Sequence, residues 1–145
     1  MTGARKYVSH YLGPRKQDYC TPRPFFDKLN AKYTFTLDGA ASEENALLPN
    51  FSSSDNPRSW AIHRVFCNPP WSNIPPFIEL AATAPFACLL VPARVNAKWF
   101  HRALALGAEV RYFCGKLSFG GSWNSPTDCL LLIWSGKQEG SDERQ

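Results

Sequence analysis

The sequence predicts an α/β protein, a single compact domain in which helices flank a mostly parallel central sheet, and three observations carry that expectation. Helical and strand patterns alternate along the chain. Two strand candidates, Phe86–Val91 and Cys129–Trp134, are unbroken apolar runs, of the length and composition a strand takes when both its faces are covered by helices. The 145 residues, 44% of them hydrophobic, suffice to bury one core and leave no room for a separate recognition domain.

Residues 1–17 are polar and basic, with Arg5, Lys6, Arg15 and Lys16, and are expected to be partly disordered. A folded unit over 18–135 should follow, and then a disordered polar tail over 136–145. Thr21-Pro22 reads as an N-cap with proline at the first helical position. Phe25, Phe26 and Leu29 lie at helical spacing behind it, with an end near Asn30. Thr34–Leu37 alternates apolar and β-branched residues into Asp38-Gly39, a strand running into a sharp turn. Ser42-Glu43-Glu44-Asn45 reads as a short helix start, and Pro49, Ser52-Ser53-Ser54, Asn56 and Pro57 mark a loop that ends at Trp60.

Arg64–Cys67 is the next strand. Pro75-Pro76 opens an alanine-rich helix over Phe77–Ala84, and the strand Phe86–Val91 stops at Pro92-Ala93-Arg94. Ala97–Leu106 carries Trp99, Phe100, Ala103 and Leu104 on one helical stripe, with Gly107 as its stop. Glu109–Phe113, Lys116–Phe119 and Cys129–Trp134 complete the strands.

Composition removes several classes of function. No segment approaches the roughly 20 apolar residues of a membrane span, and the start Met1-Thr2-Gly3-Ala4-Arg5-Lys6 has no signal-peptide apolar stretch. The cytoplasm is the expected compartment. Five cysteines (Cys20, Cys67, Cys88, Cys114, Cys129) form no Cys-x-x-Cys pair and are odd in number, so they read as reduced thiols rather than a zinc or disulfide framework. His10, His63 and His101 lack metal-ligand spacing, so no metal is expected. Nor does a Ser-His-Asp or paired-carboxylate arrangement offer hydrolytic chemistry. The net charge of +4 is modest but loaded toward the N-terminal segment, which suits a phosphate backbone or serves solubility alone.

The feature with the most chemistry is Asn68-Pro69-Pro70-Trp71, directly after the apolar run Val65-Phe66-Cys67. An amide carbonyl, a stiff proline turn and a large aromatic face at the end of a buried strand can grip an exocyclic amino group. Adenine N6 is a poor nucleophile because its lone pair is delocalised into the ring. Two acceptors on its hydrogens, the Asn68 side-chain oxygen and the Pro69 backbone carbonyl, would draw N6 toward tetrahedral geometry and relieve the positive charge that develops as it attacks a methyl sulfonium. Trp71 would stack on the ring of an extruded base. The same residues also make an ordinary turn with a tryptophan capping the core.

The wider pattern resembles the small phage-type, Dam-like DNA N6-adenine methyltransferases, which depend on S-adenosylmethionine and have a Rossmann-like fold. The resemblance rests on Asp18-Tyr19-Cys20-Thr21-Pro22 before a helix, Phe35–Ala46 with Asp38-Gly39-Ala40-Ala41 at its centre, and Phe66–Trp71. Leu89–Arg94 followed by Trp99-Phe100, and the turn and strand Gly115–Phe119, extend it over roughly 18–134 in the family's order. It implies a single Rossmann-like methyltransferase domain with Asn68, Pro69, Pro70 and Trp71 as the catalytic loop. Thr21, Pro22, Asp38, Gly39, Ala40, Glu44, Asn45 and Asp55 would flank S-adenosylmethionine, and Arg94, Lys116, Trp123 and Asn124 would touch DNA. Asp38 suits the ammonium and hydroxyls of that ligand, or makes an Asx turn. Two departures stand out: small residues replace the glycine-rich loop of larger methyltransferases, and Trp71 stands where the family more often has tyrosine. Cytosine N4 or a protein glutamine amide would suit the same loop, and a catalytically silent nucleic-acid-binding module is the reading from a different class. A homodimer would enlarge the DNA-binding surface of so small a domain.

Overall fold

The computed structural model describes residues 21–53, 59–113 and 128–136. Among them are three helices, α1 (Arg23–Tyr33), α2 (Pro75–Thr83) and α3 (Lys98–Ala105). Five strands, β1 (Leu37–Asp38), β2 (Arg64–Cys67), β3 (Phe86–Pro92), β4 (Glu109–Arg111) and β5 (Cys129–Trp134), form one sheet in the order β1-β2-β3-β5-β4. β1, β2 and β3 pair in parallel, whereas β5 is antiparallel to both β3 and β4. The α/β class therefore holds, but the sheet is mixed, with two parallel and two antiparallel pairings rather than the mostly parallel set expected. An apolar run reports burial on both faces, which β5 has, and carries no information about strand direction.

Alternation along the strands divides the core. Leu37, Val65, Cys67, Ala87, Leu89, Val91, Leu130, Leu132 and Trp134 face α2 and α3, through Phe77, Ile78, Ala81, Phe100 and Ala103. Phe66, Phe86, Cys88, Leu90, Leu131 and Ile133 face the other way, toward Phe26 of α1 and Phe35. Phe26 stacks against Phe35 and Phe66 at centroid distances of 5.8 and 5.3 Å. Its full burial contributes roughly 1.5–3 kcal/mol relative to an exposed side chain.

Several boundaries differ from expectation for local reasons. α1 begins with Pro22 at the N-cap and no side-chain cap, so Thr21 does not cap it, and the helix runs past Asn30 to Tyr33. Thr34 then adopts φ 54° as a left-handed C-cap, which takes it out of the strand. The Arg64 guanidinium donates to the Tyr33 carbonyl (2.8 and 2.6 Å) and lies over the Phe86 ring, 4.4 Å from its centroid, tying the end of α1 to the sheet. Ser42–Asn45 forms one hydrogen-bonded turn rather than a helix start. β4 ends at Arg111 instead of Phe113. The N-terminal segment 1–17, the strand expected over Lys116–Phe119 and nearly all of the tail lie outside the described residues.

Candidate active site

The connection from β1 to β2 decides where a ligand could sit. Past Pro49, the segment read as a loop runs alongside β1: Asp38 N–H donates to Asn50 O (3.0 Å), Ser52 N–H donates to Asp38 O (3.0 Å), and Asp38 bridges Phe51 in parallel. On the opposite edge Asp38 pairs with Phe66 of β2, and Gly39 N–H donates to Phe66 O (2.8 Å). The chain leaving β1 thus lays its next extended segment on one side and then crosses to the other to form β2. Counting that bridged segment as an added edge outside β1, the order of the chain reverses at β1, and parallel α/β sheets bind ligands outside the carboxyl ends of their strands at such a reversal.

Three of the sequence-predicted segments lie along that carboxyl edge. Asp38-Gly39-Ala40 ends β1, Asn68–Trp71 follows β2, and Arg94 lies just past β3. Leu37 and Cys67 belong to the α2 and α3 face, so strand alternation directs Asp38 and Asn68 to the α1 face. There the Asn68 amide nitrogen donates to Thr21 Oγ1 at 3.2 Å, across 47 positions of sequence, just ahead of α1. Thr21 and Asn68 are therefore in contact.

Asp38 is buried, with 3% exposure, and its Oδ2 accepts the Leu47 N–H at 3.0 Å. Burial raises its pKa from 3.8 to about 6, and hydrogen bonds from the Leu47 and Ala40 backbone only partly oppose the shift. A buried carboxyl of this kind is stabilised in its charged form by a cationic ligand. Leu47 N–H was not legible in the sequence, since no side-chain signature marks a backbone donor nine residues downstream. The neighbouring Cys67 thiol is pushed well above its ordinary range by burial, with Asp38 and Cys88 adding to the effect, and Cys88 is raised to about 12 by burial.

Gly39 serves the core directly. A Cβ there would come within 2.5 Å of the Trp60 ring, 3.1 Å of Val65 and 3.2 Å of Cys67. The absent side chain makes room for Trp60, which is fully buried and which the sequence marked only as the end of a loop. Ala40 is half-buried and packs against the same cluster.

In the Asn68–Trp71 loop, Asn68 and Pro70 are half-buried and Pro69 is buried. Pro70 O accepts the Asn73 N–H (2.9 Å), closing the turn that leads to the buried Ile74 and into α2. Trp71 is half-buried and packs against both core clusters. Among the other candidates, Asn45 Oδ1 accepts the Ser42 N–H (2.8 Å) and closes its own turn, Glu44 is exposed, and Pro22 O accepts the Phe26 N–H (3.1 Å). Arg94 is exposed at the carboxyl edge. Asp55, Lys116, Trp123 and Asn124 lie outside the described residues.

His63 Nδ1 lies 3.1 Å from Thr36 Oγ1 and His101 Nε2 lies 2.8 Å from Val95 O. No group of His, Cys, Asp and Glu with metal-binding geometry occurs among the described residues, and none of their helices is long and apolar enough to cross a membrane. A protein-family model described as DNA N-6-adenine-methyltransferase (Dam) matches residues 8–141 of the chain. A search of curated proteins returned no match.

Proposed function

The chain belongs to the DNA N-6-adenine-methyltransferase (Dam) family, and we propose that it methylates N6 of adenine in DNA through the loop Asn68-Pro69-Pro70-Trp71, with S-adenosylmethionine as methyl donor. The observation that carries this reading is the convergence of that loop with Asp38 at the carboxyl edge where strand order reverses. The same reversal supports a reduced Rossmann-like arrangement, with Asn50–Ser52 and β2 on either side of β1.

S-adenosylmethionine supplies a methyl group on a cationic sulfonium. The chemistry at the end of β1 fits such a ligand: Asp38 is a buried carboxyl whose ionisation a cation would favour. Asp38, Gly39 and Ala40 from β1 and Pro22 before α1 would flank it, with Glu44, Asn45 and Asp55 as further contacts. The Asn68 side-chain carbonyl and the Pro69 backbone carbonyl accept hydrogen bonds from the adenine amino group, which localises the N6 lone pair and offsets the positive charge on N6 in the transition state. The methylated nitrogen is acidic and returns its proton to solvent without a dedicated base. Trp71 stacks on an adenine extruded from the duplex. Arg94, at the same edge, takes a phosphate of the target strand, with Lys116, Trp123 and Asn124 as further DNA contacts.

The test is to incubate the protein with methyl-labelled S-adenosylmethionine and unmethylated double-stranded DNA, digest the DNA, and identify the labelled nucleoside. N6-methyladenine is expected. Label in N4-methylcytosine, or none in DNA, overturns the substrate assignment.

A further inference from the structure

We infer that Thr21 is a positioning residue for Asn68: its hydroxyl accepts the amide N–H₂ of Asn68 and so turns the carbonyl end of that amide toward the amine to be methylated. The inference rests on the proposed role of Asn68, and assigns Thr21 to orienting the acceptor rather than to contacting the methyl donor.

An asparagine amide is planar, with a carbonyl at one end and an N–H₂ at the other, and its two flipped orientations fill the same space. Only one of them can accept from an exocyclic amino group. The other presents donors to donors. Asn68 Nδ2 donates to Thr21 Oγ1 at 3.2 Å, so the carbonyl end of the same amide faces away from Thr21. An N–H₂ that donates also polarises its own carbonyl, making Oδ1 a stronger acceptor. Thr21 has the freedom for this task because it is not used as a helix cap: α1 starts at Arg23 with Pro22 at the N-cap and no side-chain cap hydrogen bond. Its backbone is tied to a rigid element, since Pro22 O accepts the Phe26 N–H (3.1 Å) and Phe26 is locked in the core. The hydroxyl is therefore carried on the same framework as the strand that carries Asn68.

The experiment compares Thr21→Val, which keeps the shape and removes the acceptor, with Thr21→Ser, which restores it. Turnover is measured with saturating S-adenosylmethionine on unmethylated plasmid DNA, and S-adenosylmethionine affinity is measured separately by calorimetry. Thr21→Val should lower kcat about tenfold, as expected for one hydrogen bond acting through a partner, with the affinity unchanged. Thr21→Ser should recover most of the rate. By NMR, the Asn68 side-chain N–H₂ should exchange faster with water in Thr21→Val than in the wild type or Thr21→Ser. Wild-type kcat in Thr21→Val, or a loss confined to S-adenosylmethionine affinity, overturns the positioning role while leaving the reading of Asn68 intact. Absence of methyl transfer by the wild-type protein overturns both.

Discussion

Replacing Asp38 by asparagine isolates the electrostatic strain at the end of β1. Burial raises the carboxyl from 3.8 to about 6, and at 1.36 kcal/mol per pKa unit ionisation in the folded protein costs about 3 kcal/mol more than in the unfolded chain. The sign follows from proton linkage. Between the two values the folded protein holds the proton while the unfolded chain has released it, so the stability is fully present below pH 3.8 and is lost as pH rises through about 6. About 2 kcal/mol of that loss should fall between roughly pH 4.5 and 7. Urea unfolding of the wild type and Asp38→Asn across this range, in the absence of ligand, gives the difference in unfolding free energy at each pH. Asparagine still accepts the Leu47 N–H and does not ionise, so the wild type should lose about 2 kcal/mol relative to the variant on going from acid to neutral pH. A difference independent of pH would show that Asp38 carries no raised pKa.

The same carboxyl should make the affinity for S-adenosylmethionine rise about tenfold from roughly pH 5 to 7 as Asp38 ionises, and by calorimetry Asp38→Asn should bind about 1.5–3 kcal/mol more weakly at neutral pH with a flat profile. Equal affinity in the folded variant would move the ligand away from β1. Gly39→Ala should lower unfolding free energy by about 1–3 kcal/mol, because the new methyl meets the fully buried Trp60 ring and not a flexible chain end; a variant as stable as the wild type would contradict the close packing. Trp71→Phe should fold and retain activity, whereas Trp71→Ala should lose about 1–3 kcal/mol of DNA binding and, being half-buried, roughly 2 kcal/mol of stability. A large drop in melting temperature with unchanged DNA affinity in the folded fraction would assign Trp71 to the core alone.

Much of this arrangement was legible wherever a side-chain pattern has one structural cause. Phe86–Val91 and Cys129–Trp134 had to be strands covered on both faces, and they are β3 and β5. Pro75-Pro76 opens α2 because proline fixes φ and needs no donor in a first turn, and Gly107 takes a positive φ of 99° just past α3. What stayed hidden depends on backbone hydrogen bonds or on distant partners. Asn50–Ser52 lines β1 through main-chain groups, amid prolines and serines that mark a loop, so the reversal of strand order could not be read. Thr21 has the local pattern of a cap, and the Asn68 amide 47 residues away is its actual partner. Gly39 resembled a turn glycine, but a tryptophan beyond the next loop requires its missing side chain. The Asn68–Trp71 turn at the end of a buried strand was readable from its residues. Its neighbours were not.

If Asn68 supplies an acceptor used in the transition state of methyl transfer, single-turnover methylation by Asn68→Ala will reveal it. With S-adenosylmethionine and unmethylated DNA both saturating, the variant should bind the methyl donor like the wild type and transfer methyl groups on the order of 100-fold more slowly, the cost of losing one preorganised group at a developing charge. Methylation within a few-fold of the wild-type rate would mean that Asn68 supplies no acceptor in the transition state.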